Sequence, residues 1–175
     1  MIHFNGTTFD IPILNQEFVS MGWTPPAPFQ QVDMLRVVRA NFRLTSNKLD
    51  FVLRFLGIPG KIEHKGMQLW RDCMTGDAAA WRVMERYNKG DVTKLEEVYT
   101  RSLPWIRGHP NYGLYSDDNR PVCPYCGGHH LVKKGKRYTT VLTYRRWRCK
   151  GCGGWSQELF NDMSLEHRKN IIRSI

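Results

Sequence analysis

Apolar and polar positions along the chain change period several times, and each change marks an element. Met1-Ile2-His3-Phe4 is a short apolar run that reads as the end of a buried strand, and Asn5-Gly6 behind it is a turn signal. Ile13, Leu14, Phe18 and Met21 then recur at helical spacing, which predicts a helix from Ile13 to Met21 stopped by Gly22. The three prolines between Thr24 and Pro28 require an extended connector. Gln31-Val32-Asp33-Met34-Leu35 reads as a second buried strand running into a helical stretch through Ala40. Thr45 or Ser46 is placed to cap a helix whose stripe is Leu49, Val52, Leu53 and Leu56, closed by Gly57 and Pro59. Residues 60–76 lack a clear period and read as a loop, with Trp70 as an anchor and Cys73 as a small buried residue. Asp77 should cap a long helix from Ala78, bent at Gly90 and running through Leu103 to Pro104.

Beyond that helix the pattern weakens. Residues 108–121 are polar and turn-rich, and read as a linker. Tyr138 to Tyr144 and Arg145 to Arg148 are rich in β-branched and aromatic residues, which suits short strands. Ser164 can cap a final helix from Leu165 to Ile175, with Leu165, Ile171, Ile172 and Ile175 available for packing. The expected organisation is a first domain over residues 1–107, the linker at 108–121, a small β domain at 122–160 and a terminal helix at 161–175.

Two acidic positions carry candidate chemistry in the first part. Asp10 stands just past a strand end, where open α/β sheets place their ligand-binding groups; a turn or helix-capping role for it is the alternative. Tyr87 and Asp91 are four residues apart, so a helix puts both on one face. Asp33 is a further carboxylate, read as a strand-end or capping residue.

Charge sharpens the picture of the second part. The net charge is +10, but residues 1–118 carry 14 basic and 13 acidic side chains, residues 119–150 carry 9 basic and none acidic, and residues 151–175 carry 3 of each. The excess therefore sits in one short segment. Lys133, Lys134, Lys136, Arg137, Arg145, Arg146 and Arg148 are interleaved with Tyr138, Tyr144 and Trp147, a composition that suits phosphates and unpaired bases. The aromatic side chains can equally form the small domain's own core. Nucleic acid is the expected partner, with DNA placed ahead of RNA.

Four of the five cysteines form two CxxC pairs, Cys123/Cys126 and Cys149/Cys152, with 22 residues between them. Each pair aims two thiolates at one centre, and four sulfurs satisfy tetrahedral zinc with no open position, so the expected zinc is structural. The flanking strands make this a zinc ribbon, and a β unit so small draws much of its stability from the metal. No signal peptide is evident, and no apolar run approaches the ~20 residues that cross a bilayer. A soluble, cytoplasmic protein with no membrane partner is expected.

The motifs also carry a family resemblance. Asn5-Gly6-Thr7-Thr8-Phe9-Asp10 resembles the second motif of the DnaQ-like, DEDD-type 3′–5′ exonucleases of the ribonuclease H-like superfamily. Tyr87-Asn88-Lys89-Gly90-Asp91-Val92 resembles their third motif in its tyrosine form. The intervening Lys48-Leu49-Asp50 and Leu56-Gly57-Ile58 are similar to predicted exonucleases of bacteria and their viruses. The resemblance covers roughly residues 1–106. It implies an α/β fold of ribonuclease H-like type and two magnesium or manganese ions held by carboxylates. Asp10 and Asp91 would be metal ligands, Tyr87 would orient the attacking water, and Asn5 would contact nucleic acid. Hard divalent ions take oxygen ligands, and two of them ~4 Å apart serve phosphodiester hydrolysis. The family's first motif, an Asp-x-Glu, has no counterpart anywhere in the sequence. The resemblance therefore implies a partial fold lacking its first strands, and little or no nuclease activity from this chain alone. A fragment or internally initiated product of a longer exonuclease, a second polypeptide supplying those strands, or a non-catalytic nucleic-acid-binding or protein-docking role would account for it.

Overall fold

The computed structural model describes residues 1–60 and 66–173, in two compact units, Met1–Ser102 and Leu103–Ile175. In the first unit β1 (Ile2–His3) and β2 (Val32–Asp33) pair in parallel, Ile2 opposite Val32 and His3 opposite Asp33. Each strand leads to a helix, β1 through a turn to α1 (Asp10–Ser20) and β2 directly to α2 (Met34–Asn41). The β1–α1–β2 unit is thus a parallel crossover, mixed α/β as the sequence pattern predicts.

Helix α3 (Leu49–Phe55) starts later than its sequence signals suggest. Lys48 is its N-cap residue, and Thr45 and Ser46 lie outside the cap. Its end follows the prediction: Gly57 adopts φ +66°, and the Ile58 amide reaches back to the Leu53 carbonyl at 2.9 Å. This is a left-handed helix terminus that only glycine adopts without strain. Arg101 Nη1 donates to the Leu56 carbonyl at 2.5 Å, satisfying another terminal acceptor.

Residues 67–74, read from sequence as loop, form α4 (Met67–Met74). Leu69 and Cys73 are i,i+4 neighbours and bury together against Ala80, with Met84 beside them. The remaining residues of that loop prediction at 61–65 lie outside the described residues. Helix α5 (Ala78–Ser102) runs unbroken for 25 residues past Gly90. Asp77 caps it, Oδ1 accepting from the Ala79 amide at 2.7 Å and from Ala80 at 3.3 Å. The main core is built where α2 and α3 meet α5: Met34, Val38, Val52, Leu53 and Val98 are fully enclosed. Fully burying such side chains contributes on the order of 2 kcal/mol each.

Helix α1 is a departure. It begins at Asp10 rather than Ile13, and none of its residues is buried. Ile13, Leu14 and Met21, whose spacing predicts the helix, are exposed. The spacing made an apolar stripe, but among the described residues the core that α2, α3 and α5 close does not include it.

The second unit starts with a 3₁₀ turn at Leu103–Trp105 and another at Tyr112–Tyr115. A three-stranded antiparallel sheet follows in the order β3 (Leu131–Tyr138), β4 (Thr143–Cys149), β5 (Trp155–Gln157). The 108–121 stretch is folded onto this unit: the Tyr112 amide donates to the Pro124 carbonyl at 3.0 Å. The last helix, α6 (Leu165–Lys169), is capped by Ser164 as expected but is shorter than predicted, giving way at Asn170; Ile175 lies outside the described residues.

Candidate functional site

The turn after β1 is organised by a buried histidine and a buried aspartate. His3 Nδ1 accepts from the Gly6 amide at 3.0 Å, so the ring proton belongs on Nε2, which donates to Gln31 Oε1 at 3.1 Å. A Cβ on Gly6 would lie 2.6 Å from His3 Cγ. Glycine is therefore required by close approach to the ring, while Asn5, at φ +67°, takes the left-handed position. Asp33 Oδ1 accepts from the Asn5 amide at 2.9 Å and from the Leu35 amide at 3.0 Å. One carboxylate oxygen thus ties the β1 turn to the start of α2. Desolvation acts to raise the Asp33 pKa, but the Asn5 amide, the Thr7 hydroxyl, His3 and the Leu35 amide outweigh it and hold the group below the ordinary carboxylate range. Sequence reasoning identified Asp33 as a cap; the cross-strand tie to Asn5 and the role of His3 emerge only from the β1–β2 register.

The structure places Asp10 exposed at the first residue of α1, where its charge complements the helix N-terminus without a side-chain cap bond. Asn5 is exposed, its side-chain carbonyl accepting from the Thr8 hydroxyl at 2.8 Å. Tyr87 and Asp91 are one turn apart on α5. The Tyr87 ring meets Trp70 of α4 edge-on, centroids 6.1 Å apart, so Trp70 anchors the tyrosine. Among the described residues, the acidic and histidine side chains do not gather in threes close enough to share an ion.

The cysteines do. Cys123, Cys126, Cys149 and Cys152 bring their sulfurs within 4.8 Å of one another, with Cys123 to Cys152 at 3.6 Å and Cys126 to Cys149 at 3.7 Å. Zinc–sulfur bonds of ~2.3 Å at the tetrahedral angle put sulfurs about 3.8 Å apart, so the donor set fits zinc; the four cysteines are free of disulfides in this structure. The two knuckles are built alike. The Gly127 amide donates to the Cys123 carbonyl at 2.9 Å and the Gly153 amide to the Cys149 carbonyl at 3.0 Å, with both glycines left-handed at φ +69° and +78°. Burial, and then the neighbouring Cys123 thiol, push the Cys152 thiol above its ordinary range. A cation bound there would take the four sulfurs as thiolates.

Comparison with known proteins decides the family of the first unit. A family model described as RNase_H superfamily matches residues 1–103. The chain belongs to the ribonuclease H superfamily. No curated protein and no solved structure matches it in the corresponding searches. The superfamily match spans β1 through α5, and it relates the chain to nucleic-acid-processing nucleases; the cysteine centre lies outside it.

In this ribonuclease H superfamily chain the predicted basic residues separate by sheet face. Arg137 pairs with Tyr144, Arg146 with Gln157, and Arg148 with both Val132 and Trp155, so these share one face. Lys136 pairs with Arg145, and Lys133 with Trp147, on the other, where Lys133 Nζ sits 5.1 Å from the Trp147 ring centroid. There Asp162 meets Lys136 Nζ at 2.9 Å and Arg145 Nε at 3.3 Å. The charge run had no acid within it; the compensating carboxylate arrives from beyond β5. Lys134 offers its carbonyl to Arg146 Nε at 3.2 Å, and its side chain is on the exposed stretch of β3.

Proposed function

We infer that the chain is a nucleic-acid-processing protein in which Asp10 and Asp91 are carboxylates of a metal-dependent 3′–5′ exonuclease centre of DEDD type, with Tyr87 as the water-orienting group. The cysteine centre holds structural zinc, making the second unit a ribbon that binds nucleic acid, DNA ahead of RNA. The observation that carries this reading is the superfamily match over residues 1–103, coincident with the first compact unit. Magnesium or manganese would supply Lewis acidity at the phosphodiester. Asp10 and Asp91 would provide oxygen ligands, and Asn5 a contact to the strand.

A second reading has its own support. The zinc centre is fully assembled while the acidic side chains of the described residues do not cluster, and the sequence has no Asp-x-Glu. That favours a chain that binds nucleic acid and hydrolyses it only when residues outside this sequence complete the carboxylate set, or a purely binding role.

Manganese binding followed by electron paramagnetic resonance tests the assignment, alongside digestion of an end-labelled oligonucleotide. The expected result is weak manganese binding that Asp10→Asn and Asp91→Asn each reduce, with little digestion by the chain alone. Binding indifferent to both substitutions would remove the two aspartates from the site. Robust digestion that Asp10→Asn abolishes would refute the incomplete-centre reading.

A further inference from the structure

We propose that one face of the ribbon, and not the other, is a single-strand nucleotide site, in which Arg146 and Arg137 take a backbone phosphate and an unpaired base enters the cleft beside Trp155. The proposal rests on the reading of the ribbon as a nucleic-acid contact and assigns that contact a face and a strand form. An open cleft of about 420 Å³ is lined by Arg137, Arg146, Trp155, Gln157, Tyr125 and His109, all within the second unit. Its size is within the roughly 300–1,000 Å³ of ligand pockets.

The guanidinium of Arg146 is held on one face and at its Nε edge. It lies over the Trp155 ring at 4.4 Å from the centroid, and its Nε donates to the Lys134 carbonyl. That leaves the two Nη groups as a preset fork, the geometry in which arginine recognises phosphate bidentately. Arg137 is steered to the same cleft by its Nη1 bond to Gln157 Oε1 at 2.7 Å. Arg148 approaches the same indole at 5.8 Å. Among the described residues none of these three arginines has a carboxylate partner, whereas Lys136 and Arg145 opposite share Asp162. On that opposite face Lys133, over the Trp147 ring, also lacks a carboxylate among the described residues, so the contrast is between three uncompensated arginines on one face and a single lysine on the other.

The aromatic wall supplies the base contact. Tyr125 is held against the second knuckle, since a Cβ on Gly154 would stand 2.7 Å from its ring. His109 packs on it, centroids 5.6 Å apart, and stacks with Tyr112 at 6.0 Å. A base can insert between this wall and the Arg146–Trp155 stack only if it is unpaired, because bases of a duplex are occupied by their own stack. Phosphate contact alone would use any exposed cation on either face.

The test is fluorescence anisotropy of a labelled oligothymidylate, and of a duplex of equal length, with the zinc-loaded full chain at low and moderate salt. Trp155→Ala and the pair Arg137→Gln/Arg146→Gln should each weaken single-strand binding about ten- to hundredfold. The charge-matched pair Lys136→Gln/Arg145→Gln should cost about threefold or less, and the duplex should bind more weakly than the single strand. Zinc stoichiometry is measured for every variant, and Trp155→Phe, which keeps a ring in place, should recover most of the affinity lost by Trp155→Ala. Equal losses on both faces, or a duplex bound as tightly as the single strand, would overturn the face and strand assignment while leaving a nucleic-acid-binding ribbon. Failure of the wild-type chain to bind either oligonucleotide would instead remove the reading on which the proposal rests.

Discussion

Replacing Gly6 with alanine should destabilise the first unit through one identifiable collision. Gly6 has an ordinary backbone conformation, so the added methyl brings no φ strain; what it meets is the His3 side chain, with Cγ at 2.6 Å, Nδ1 at 2.7 Å and Cβ at 2.9 Å. His3 is buried and held at both ring nitrogens, so it has no unstrained direction in which to yield. Overpacking of this kind costs ~1–3 kcal/mol, and loss of the Gly6 amide's buried acceptor another ~1–3 kcal/mol. We expect about 3 kcal/mol in total, a fall in midpoint on the order of 15 °C for a unit of about 100 residues. Urea and thermal unfolding followed by circular dichroism at 222 nm report chiefly on this unit, because α1 to α5 belong to it and only the short α6 does not. A double-mutant cycle isolates the collision: with His3→Ala in place, Gly6→Ala should cost well under half as much. A Gly6→Ala variant within ~0.5 kcal/mol of wild type, or one equally damaging without the imidazole, would refute the close-approach argument.

Two further outcomes follow from the same geometry. Zinc analysis should return one ion per chain; Cys123→Ser or Cys149→Ser, or a strong chelator, should remove it and abolish the near-ultraviolet signal of the sheet tryptophans while the 222 nm signal of the first unit persists. Asp33 titrates below its ordinary value in the folded state, so its contribution is fully present above the unfolded carboxyl pKa of ~3.9 and is lost as pH falls through the lower folded value. Stability measured from pH 6 down to about pH 2 should therefore fall more steeply for wild type than for Asp33→Asn, and parallel curves would exclude the carboxylate's role.

Much of the site could be read before folding because its signals are local. Asp33 and Asp77 sit immediately before their helices, Gly57 just after one, and each CxxC pair within one turn. Short range is also why α4 escaped notice: eight residues with Gly66 at the N-cap position and two buried side chains give neither a start signal nor a full stripe. The stripe of α1 was visible, but burial depends on what lies across from it. His3 looked like one residue of an apolar run, because its partners Gln31 and Asp33 are brought close only by the β1–β2 pairing. Asp162 was invisible as a partner for Lys136 for the same reason, since β4 intervenes. What depends on spacing was legible, and what depends on register was not.

The twin knuckles make the ribbon a clip that fastens a hairpin at its root. Cysteine sulfurs from before β3 and from the end of β4 and beyond converge on one point, and the tip at Thr139–Leu142 is at the far end of the hairpin from it. Extending a closed loop is thermodynamically gentle, each doubling of its length costing only about 0.6 kcal/mol. The tip is consequently a place where residues can be inserted, or another recognition segment spliced in, while the clip keeps its shape.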